Sequence, residues 1–367
     1  MKVGIFSLTY NSRGHSKEYI DNLIKNLDSN YEFELISYDQ KVNDSGVGIL
    51  DYNSSQRFSS YRKIFRRFFC SLQLLYIQYS KLKSCDKILF SDYEYFSLLF
   101  ILFIFKRKKN IVWVHSATLN GSVLYYVYKK IFFKFVNKLN VFEYIVNGQE
   151  SYKLLSKLID KKITLIQYPS ELSMQPLNKE LAKKKLGFNG KKIFSLLGMI
   201  RADKNYEFAI KSFSKSTANN SNGALLVIAG APSGINSNQI DRWLNMYNVK
   251  NVYKDYNYLS EERLNCTFSA TDVLLIPYGE NCSSQSGPLS LCRNYLIPAI
   301  VREGGEIGNY VSYFNVGLTC SSSKDFSDAI NKYNSSIPNV TLKSLNEVKN
   351  LFSWSSAAKK YIEVFER

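Results

Sequence analysis

The sequence predicts an α/β chain built of two doubly wound, Rossmann-like domains that face a cleft. Three observations support this. The length of 367 residues is about twice that of a usual domain. Short apolar runs alternate with helical segments, as in buried parallel sheets. This alternation stops at a polar stretch and then restarts. Ligands of open parallel sheets bind at the carboxyl ends of the strands, so the cleft is the expected active site.

The first series begins with an apolar strand at Lys2–Thr9, and Ser16–Leu27 follows with helical spacing. The later predicted strands of this series are Tyr31–Tyr38, Lys87–Phe90, Ile111–His115 and Tyr144–Asn147. The polar stretch Gln167–Lys192 has two prolines, several lysines and no strand pattern, so it predicts the junction. The domains are then residues 1–170 and 171–348, followed by a final helix in 349–367. The predicted strands of the second series are Ile193–Leu197, Leu225–Ala229, Val252–Tyr253, Val273–Pro277 and Ala299–Val301.

Composition excludes several classes of protein. The 45% hydrophobic share excludes wholesale disorder. The six cysteines form no CxxC pair and there are only two histidines, so no structural zinc site is expected. We expect reduced, mostly buried cysteines and a cytosolic protein without a signal peptide. The longest apolar run, Tyr95–Phe105, is too short for a bilayer, which needs about 20 residues. It predicts either a buried helix or a segment that touches a membrane face.

The net charge of +17 is concentrated in one stretch. Residues 57–138 contain 16 Lys and Arg but three Asp and Glu, and aromatic residues are interleaved with the basic ones in Tyr61–Phe69 and Tyr125–Phe135. Basic amphipathic helices of this kind lie on anionic membrane surfaces, although a solvated face over a core stripe has the same pattern. No nucleic-acid-binding motif is present, so nucleic acid is not an expected partner.

Two segments of the second domain carry the pattern of a phosphate site. In Gly198–Lys204, a glycine after a strand lets a ligand approach the main chain, and Arg201 and Lys204 could hold a diphosphate there. In Ser286-Gly287-Pro288, a turn of small residues opens a helix, whose first N–H groups form an anion site. A surface turn is the alternative for the first segment. Neither segment matches the P-loop or the dinucleotide fingerprint, which argues against an ATPase and a nicotinamide enzyme.

Taken in order, these segments and their neighbours resemble one family. The second half of the chain is similar to the retaining GT-B glycosyltransferases of the GT4 type (group 1 family), as found in bacterial polysaccharide and lipid-linked glycan synthesis. The matching segments are Gly198–Lys204, Leu226–Gly230, Tyr258–Leu264, Ala270–Tyr278, Gln285–Gly287, Ile297–Ile300, Gly304–Glu306 and Phe352–Trp354. The match is strong over about residues 190–367 and loose before them. The resemblance implies a C-terminal helix that packs back on the first, acceptor-binding domain.

The resemblance also implies a role for each matching residue. Arg201 and Lys204 would hold the donor pyrophosphate beside Gly198 and would act in catalysis. The turn would give donors at Ser286, Gly287 and Leu289, and Tyr258 with Leu259 would pack on the nucleobase. His115 would lie near the transferred sugar as a third catalytic residue. The residues of the first loop that are expected in the cleft, near acceptor or donor, are Asn11, Gly14 and His15.

The chain departs from the commonest family pattern at two positions. Many members have glutamates where this chain has Ser283 and Leu291, and the second of them binds the ribose. Glu280 is the expected donor-binding carboxylate nearby, and Glu306 is expected close to the sugar. The departure keeps two alternatives open, which are a GT-B-like epimerase of nucleoside-diphosphate (NDP) sugars and a non-catalytic partner in a polysaccharide-assembly complex.

The implied reaction needs no cofactor. A sugar would pass with retention from a UDP- or GDP-sugar to a saccharide or lipid-linked acceptor, at the cytoplasmic face of the plasma membrane. No metal is expected, because Arg201 and Lys204 would stabilise the departing diphosphate and no Asp-x-Asp motif is present.

Overall fold

The computed structural model describes residues 1–10, 16–27, 30–38, 60–106, 108–114, 123–136, 138–139, 141–169, 174–279 and 286–367. The chain divides into two compact units. The first unit comprises Met1–Gln167 and Trp354–Arg367, and the second unit comprises Tyr168–Ser353.

The first unit is built on a six-stranded parallel sheet. Its strands are β1 (Lys2–Ser7), β2 (Glu32–Ile36), β3 (Lys87–Asp92), β4 (Lys109–Val114), β5 (Val141–Val146) and β6 (Ile163–Leu165). The spatial order is β2-β1-β3-β4-β5-β6. The inner strands are buried on both faces, which explains why their sequences are apolar runs rather than alternating patterns.

Helices cover both faces of this sheet. The first six helices are α1 (Ser16–Asn26), α2 (Ser60–Ile77), α3 (Tyr79–Ser84), α4 (Tyr95–Ile104), α5 (Val123–Val136) and α6 (Gln149–Ser156). Side chains of α2, α4, α5 and α6 form one core with alternate residues of the strands, including Val112 and Val114 of β4. The intervening Trp113 points to the other face, where its ring centroid lies 4.4 Å from that of Tyr19 of α1.

The second unit has its own six-stranded parallel sheet. Its strands are β7 (Lys192–Leu197), β8 (Ala224–Ala229), β9 (Val252–Asp255), β10 (Val273–Ile276), β11 (Ala299–Arg302) and β12 (Gly317–Cys320). The spatial order is β12-β11-β10-β7-β8-β9. The chain order reverses between β7 and β10, which is the topological switch point where doubly wound sheets bind their ligands.

Eight helices surround the second sheet among the described residues. They are α7 (Lys179–Leu186), α8 (Tyr206–Ser214), α9 (Ser237–Met246), α10 (Glu261–Ala270), α11 (Gly287–Cys292), α12 (Gly305–Phe314), α13 (Ser323–Ser335) and α14 (Asn339–Leu351). A hydrophobic cluster lies on each side of the sheet. Asp272 joins α7 to the sheet, since it lies 2.8 Å from Lys183 Nζ and accepts the N–H of Ile193 at 2.8 Å.

A buried arginine fixes both ends of the second unit. Arg293, which follows α11, donates from Nη2 to the carbonyl of Tyr168 at 2.5 Å. Its guanidinium lies 4.8 Å from the ring centroid of Phe352. Tyr168 is the first residue of the unit and Phe352 is next to the last. One side chain therefore holds the two places where the chain passes between units.

The last helix, α15 (Trp354–Glu366), belongs to the first unit. It packs on α1, where the hydroxyls of Tyr19 and Tyr361 are 3.1 Å apart and the ring centroids of Tyr19 and Trp354 are 4.8 Å apart. Arg367 then pairs with the buried Glu143 of β5 at 2.7 Å. The C-terminal segment thus completes the face of the first sheet that α1 begins.

The predicted fold class is confirmed, and ten of the twelve strands were predicted close to their observed bounds. The sequence prediction missed β6 and β12, which are both outermost strands. Such strands are only partly buried and lack a long apolar run. None of the helices within the described residues is long and apolar enough to cross a bilayer.

Candidate functional site

The two predicted phosphate-binding segments meet at the switch point of the second sheet. Gly198 directly follows β7, and Tyr278 and Ser286 follow β10. These strands are hydrogen-bonded neighbours, so their carboxyl ends open on the same edge. The order of the strands in space therefore brings together two loops that are far apart in the sequence.

The loop after β7 is held against the loop after β8. Gly198 has a φ of +92°, a conformation that favours glycine, and its N–H donates to the carbonyl of Ala229 at 3.0 Å. The hydroxyl of Tyr206 donates to the Gly198 carbonyl at 3.2 Å. A Cβ on Gly230 would lie 2.2 Å from the Gly198 oxygen, so this close approach requires glycine at position 230. The main chain of the loop is thus fixed on both sides.

Lys204 is the buried cation of this loop. Only 6% of the residue is exposed, and its Nζ donates to the carbonyl of Leu197 at 3.5 Å. The ammonium also lies 5.6 Å from the ring centroid of Tyr278. Burial, with a smaller contribution from Arg201, lowers the pKa of Lys204 to about 8. Within the described part of the chain, no carboxylate forms an ion pair with Lys204.

Arg201 stands at the rim of the site rather than inside it. Its side chain is 48% exposed and forms two hydrogen bonds with Asp203, from Nε at 3.0 Å and from Nη2 at 2.8 Å. The bidentate contact fixes the plane of the guanidinium. Sequence reasoning placed Arg201 and Lys204 together as diphosphate ligands, and the structure shows that one is already paired while the other is buried.

The second segment closes the site from the side of β10. Ser286 is buried, and its hydroxyl lies 3.3 Å from that of Tyr278 and accepts the N–H of Leu289 at 3.4 Å. The Leu289 N–H, a predicted donor to the ligand, is thus engaged in the helix cap. Since α11 has six residues, its dipole is small, and Lys204 supplies the main positive charge among the described groups.

A small cavity lies between these segments. Its lining includes Lys204, Tyr206, Tyr278 and Pro288, together with the carboxyl ends of β7 and β10. The cavity is therefore aromatic and apolar apart from one ammonium and the hydroxyls of the tyrosines. An anionic group that reached this lining would meet the ammonium of Lys204.

Tyr258 and Leu259, the predicted nucleobase contacts, lie after β9 on the same edge of the sheet. Strand β8 separates β9 from β7, so the strand spacing puts them about 10 Å from the Gly198 loop. Tyr258 is 83% exposed, whereas Leu259 packs on the core of the second unit. An exposed aromatic ring at this distance from the cation is available for stacking.

Several predicted site residues lie outside the described residues. These are Asn11, Gly14, His15, His115, Glu280 and Ser283. Leu291, where the resemblance implies that this chain lacks the usual ribose-binding glutamate, is described and packs against the core. Glu306 is buried in the first turn of α12, which follows β11 beside β10. In the described portion of the sequence, no cluster of three His, Cys, Asp or Glu side chains could hold a metal ion.

Sequence reasoning missed two residues of the cavity. Tyr278 ends one of the matching segments, which implies no role for it, and Tyr206 lies outside all of them. The sequence does contain a signal for both: Tyr278 lies two positions after the end of β10, and Tyr206 lies two positions after Lys204. Their contribution depends on side-chain direction, which spacing alone does not give.

Comparison with known proteins gives a fold but no family by sequence. No family model matches the chain, and no curated protein matches its sequence. Among solved structures, sucrose-phosphate synthase from Thermosynechococcus elongatus superposes with a TM-score of 0.76 at 13% identity, covering 100% of this chain and 98% of that one. HepE from Anabaena in complex with UDP gives 0.71 at 9% identity, with 100% of both chains covered. A glycosyltransferase from Rickettsia africae gives 0.69 at 13% identity, covering 100% and 97%. The chain therefore has the GT-B fold of these structures, as its sequence motifs predicted.

Proposed function

We propose that the protein is a retaining glycosyltransferase. It moves a sugar from a nucleoside-diphosphate sugar to a saccharide or lipid-linked saccharide. The observation that carries the proposal is the buried ammonium of Lys204 at the switch point of the second sheet. The similarity in fold to HepE, whose structure holds UDP, supports the same class of donor.

The diphosphate of the donor is the anion that fits this ammonium. A buried cation is costly unless an opposite charge pairs with it, and Lys204 contacts a carbonyl and a ring, with the Asp203 carboxylate acting on it only from a distance. Binding of the diphosphate completes this pair. Arg201 at the rim adds a second cation once its contact with Asp203 is shared with the phosphate.

The same cations favour the chemical step. The bond between the anomeric carbon and the diphosphate oxygen breaks, and its electron pair leaves with the diphosphate. Lys204 and Arg201 stabilise this developing charge, and electrostatic stabilisation of this kind is often what accelerates an enzymatic reaction most. The acceptor oxygen bonds to the anomeric carbon on the same face, and its proton passes to the departing phosphate. Because the acceptor attacks on the face from which the diphosphate leaves, the anomeric configuration is retained, by analogy with the GT4 type.

Other groups complete the donor site in this proposal. The main chain at Gly198 and the turn at Ser286 and Gly287 border the phosphates, and Tyr258 stacks on the base of a UDP- or GDP-sugar. His115, which lies outside the described residues, is proposed beside the transferred sugar. Four more residues outside the described part of the chain are proposed contacts: Glu280 for the donor, and Asn11, Gly14 and His15 for the acceptor or donor. The reaction is proposed to need no metal, so a chelator should leave turnover unchanged.

Calorimetry with UDP-glucose and GDP-mannose tests the donor site directly. The variant Lys204→Met removes the charge, and Lys211→Met is the matched control because it removes an exposed lysine of α8. We expect Lys204→Met to weaken donor binding about tenfold or more, while Lys211→Met binds like the wild type. Equal affinity in both variants would contradict the assignment of the diphosphate to Lys204.

The position of Leu291 favours a second candidate function. An apolar residue packs there where many relatives have a ribose-binding carboxylate, so a non-catalytic member that binds but does not transfer is the alternative. A GT-B-like epimerase is the other alternative. Product analysis separates the three: transfer needs an added saccharide acceptor, epimerisation proceeds without one, and the non-catalytic protein gives no product.

A further inference from the structure

Helix α4 is apolar on every side, yet only one side is buried. It contains no charged residue. The buried side chains of α4 are Ser97, Leu98, Ile101 and Leu102. The exposed large apolar side chains are Phe96, Phe100, Phe103 and Ile104. These four follow helical spacing and lie on one face of the helix, away from the core. The helix therefore presents an apolar face at the surface of the first unit.

The two neighbouring helices continue this exposed face. Helix α4 packs beside α2 and α5 on the same side of the first sheet. The exposed apolar residues of α2 are Phe65, Phe69 and Tyr76, and those of α5 are Val127, Ile131 and Phe135. Each set repeats at helical spacing. We call these residues, with the exposed residues of α4, the α2–α4–α5 face.

The charge of the α2–α4–α5 face is of one sign. None of the three helices contains an Asp or Glu. Lys130 and Lys134 are exposed in α5 beside the apolar residues, and Lys106 follows α4 with its Nζ 5.7 Å from the centroid of the Phe103 ring. Long basic side chains among aromatic rings suit the headgroup level of a bilayer, because the stem stays in apolar surroundings while the ammonium reaches phosphate.

We propose that the α2–α4–α5 face docks the protein on an anionic lipid bilayer. The aromatic side chains of α4 enter the interface, and the lysines of α5 and of the segment after α4 contact lipid phosphates. A second copy of this chain does not fit, since a symmetric interface would bring the same cations face to face. The proposal goes beyond the donor site, because it concerns a surface of the first unit only.

Vesicle co-sedimentation of the full chain tests the proposal. The vesicles are phosphatidylcholine with and without phosphatidylglycerol. We expect the protein to bind the anionic vesicles, and this binding should weaken as salt is added. Each of the variants Lys130→Gln and Lys134→Gln should lower the partition coefficient about fivefold. The double variant Phe100→Ser/Phe103→Ser should lower the partition coefficient about tenfold or more. The matched control is Val340→Ser/Leu351→Ser, which removes two exposed apolar residues of α14 in the second unit and should bind like the wild type.

A tryptophan at position 103 reports the depth of insertion. The emission that Phe103→Trp adds to that of the three native tryptophans should shift to the blue on anionic vesicles and be quenched by lipids brominated in the acyl chain. The proposal is overturned by three results: no binding to anionic vesicles, equal binding by the Phe100→Ser/Phe103→Ser variant, or a dimer that this variant dissociates. Circular dichroism and thermal unfolding without vesicles show that the variants fold, and UDP-glucose binding is measured separately, so failure here is distinct from failure of the proposed donor site.

Discussion

The ammonium of Lys204 lies 5.6 Å from the ring centroid of Tyr278, at the carboxyl ends of two neighbouring strands. The ring and the Leu197 carbonyl compensate only part of what the ammonium loses in leaving water, since burial still lowers the pKa of Lys204 to about 8. Without a ligand, the buried ammonium therefore lowers the free energy of unfolding. A bound anion would remove this cost, which makes Lys204 a sensitive position for stability as well as for binding.

Replacing Lys204 should stabilise the protein without its ligand. The depressed pKa corresponds to about 3 kcal/mol at neutral pH. We expect Lys204→Met to raise the free energy of unfolding by about 1–3 kcal/mol and the midpoint of thermal unfolding by a few degrees. Thermal unfolding without ligand measures this, with Lys211→Met as the control. A lower midpoint for Lys204→Met than for the control would contradict the unfavourable burial.

Donor binding should depend on pH near 8. Below the lowered pKa, Lys204 is charged and binds the diphosphate fully. Above it, the free protein must take up a proton on binding, so the affinity for UDP-glucose should fall by about tenfold per pH unit. Calorimetry across this range measures the effect. The Lys204→Arg variant, which stays charged, should show little change over the same range, and a parallel decline in both proteins would point to another group.

The free energy of unfolding should rise with pH over the range in which the donor affinity falls. The pKa of Lys204 is lower in the folded protein than its ordinary value of 10.5, so the unfolded chain holds more protons between about pH 8 and that value. The contribution of Lys204 to stability therefore rises with pH through this window. Denaturant unfolding of wild type and Lys204→Met should show a difference between the two proteins that narrows as the pH increases.

Arg201 should act mainly in turnover rather than in folding. Its side chain is half-exposed, so Arg201→Ala should leave thermal unfolding nearly unchanged. We expect it to lower turnover about tenfold or more, because a charge-assisted contact to the departing diphosphate is lost. The variant Asp203→Asn keeps the arginine but weakens the contact that orients it, and should show a smaller loss. Unchanged donor kinetics in Arg201→Ala would remove Arg201 from the phosphate site.

Gly230 should be required for the shape of the Gly198 loop. An added Cβ would collide with the Gly198 carbonyl, so Gly230→Ala should lower the free energy of unfolding by about 1–3 kcal/mol and weaken UDP-glucose binding. Gly234→Ala is the matched control, because Gly234 also has a positive φ but open space around it. Similar donor affinities in the two variants would show that the contact with Gly198 does not shape the site.

Much of the site could be predicted from residue types after strand ends. The apolar runs of β7 and β10 located Gly198, Lys204 and Ser286 at the carboxyl edge of a sheet. The pairing of Arg201 with Asp203 could not be predicted, since both charges are on one short loop and could equally point to solvent. The burial of Lys204 depends on Tyr278, which reaches it only because β10 returns beside β7.

The exposed face of helix α4 could not be predicted from the sequence. Its composition predicts a buried helix, and half of it is buried in the core of the first unit. Hydrophobic periodicity cannot locate the exposed half, because apolar residues occupy every side and no charged residue marks the boundary. Only the packing of α2, α4 and α5 side by side shows which face is left uncovered.

The place of α15 in the first unit has a consequence for biosynthesis. The second unit is continuous in sequence, but the first unit needs a helix that leaves the ribosome after the whole of the second unit. Until then, one face of the first sheet lacks the cover that Trp354 and Tyr361 give to Tyr19. Folding of the N-terminal half is thus completed after that of the half that follows it, against the usual order of synthesis.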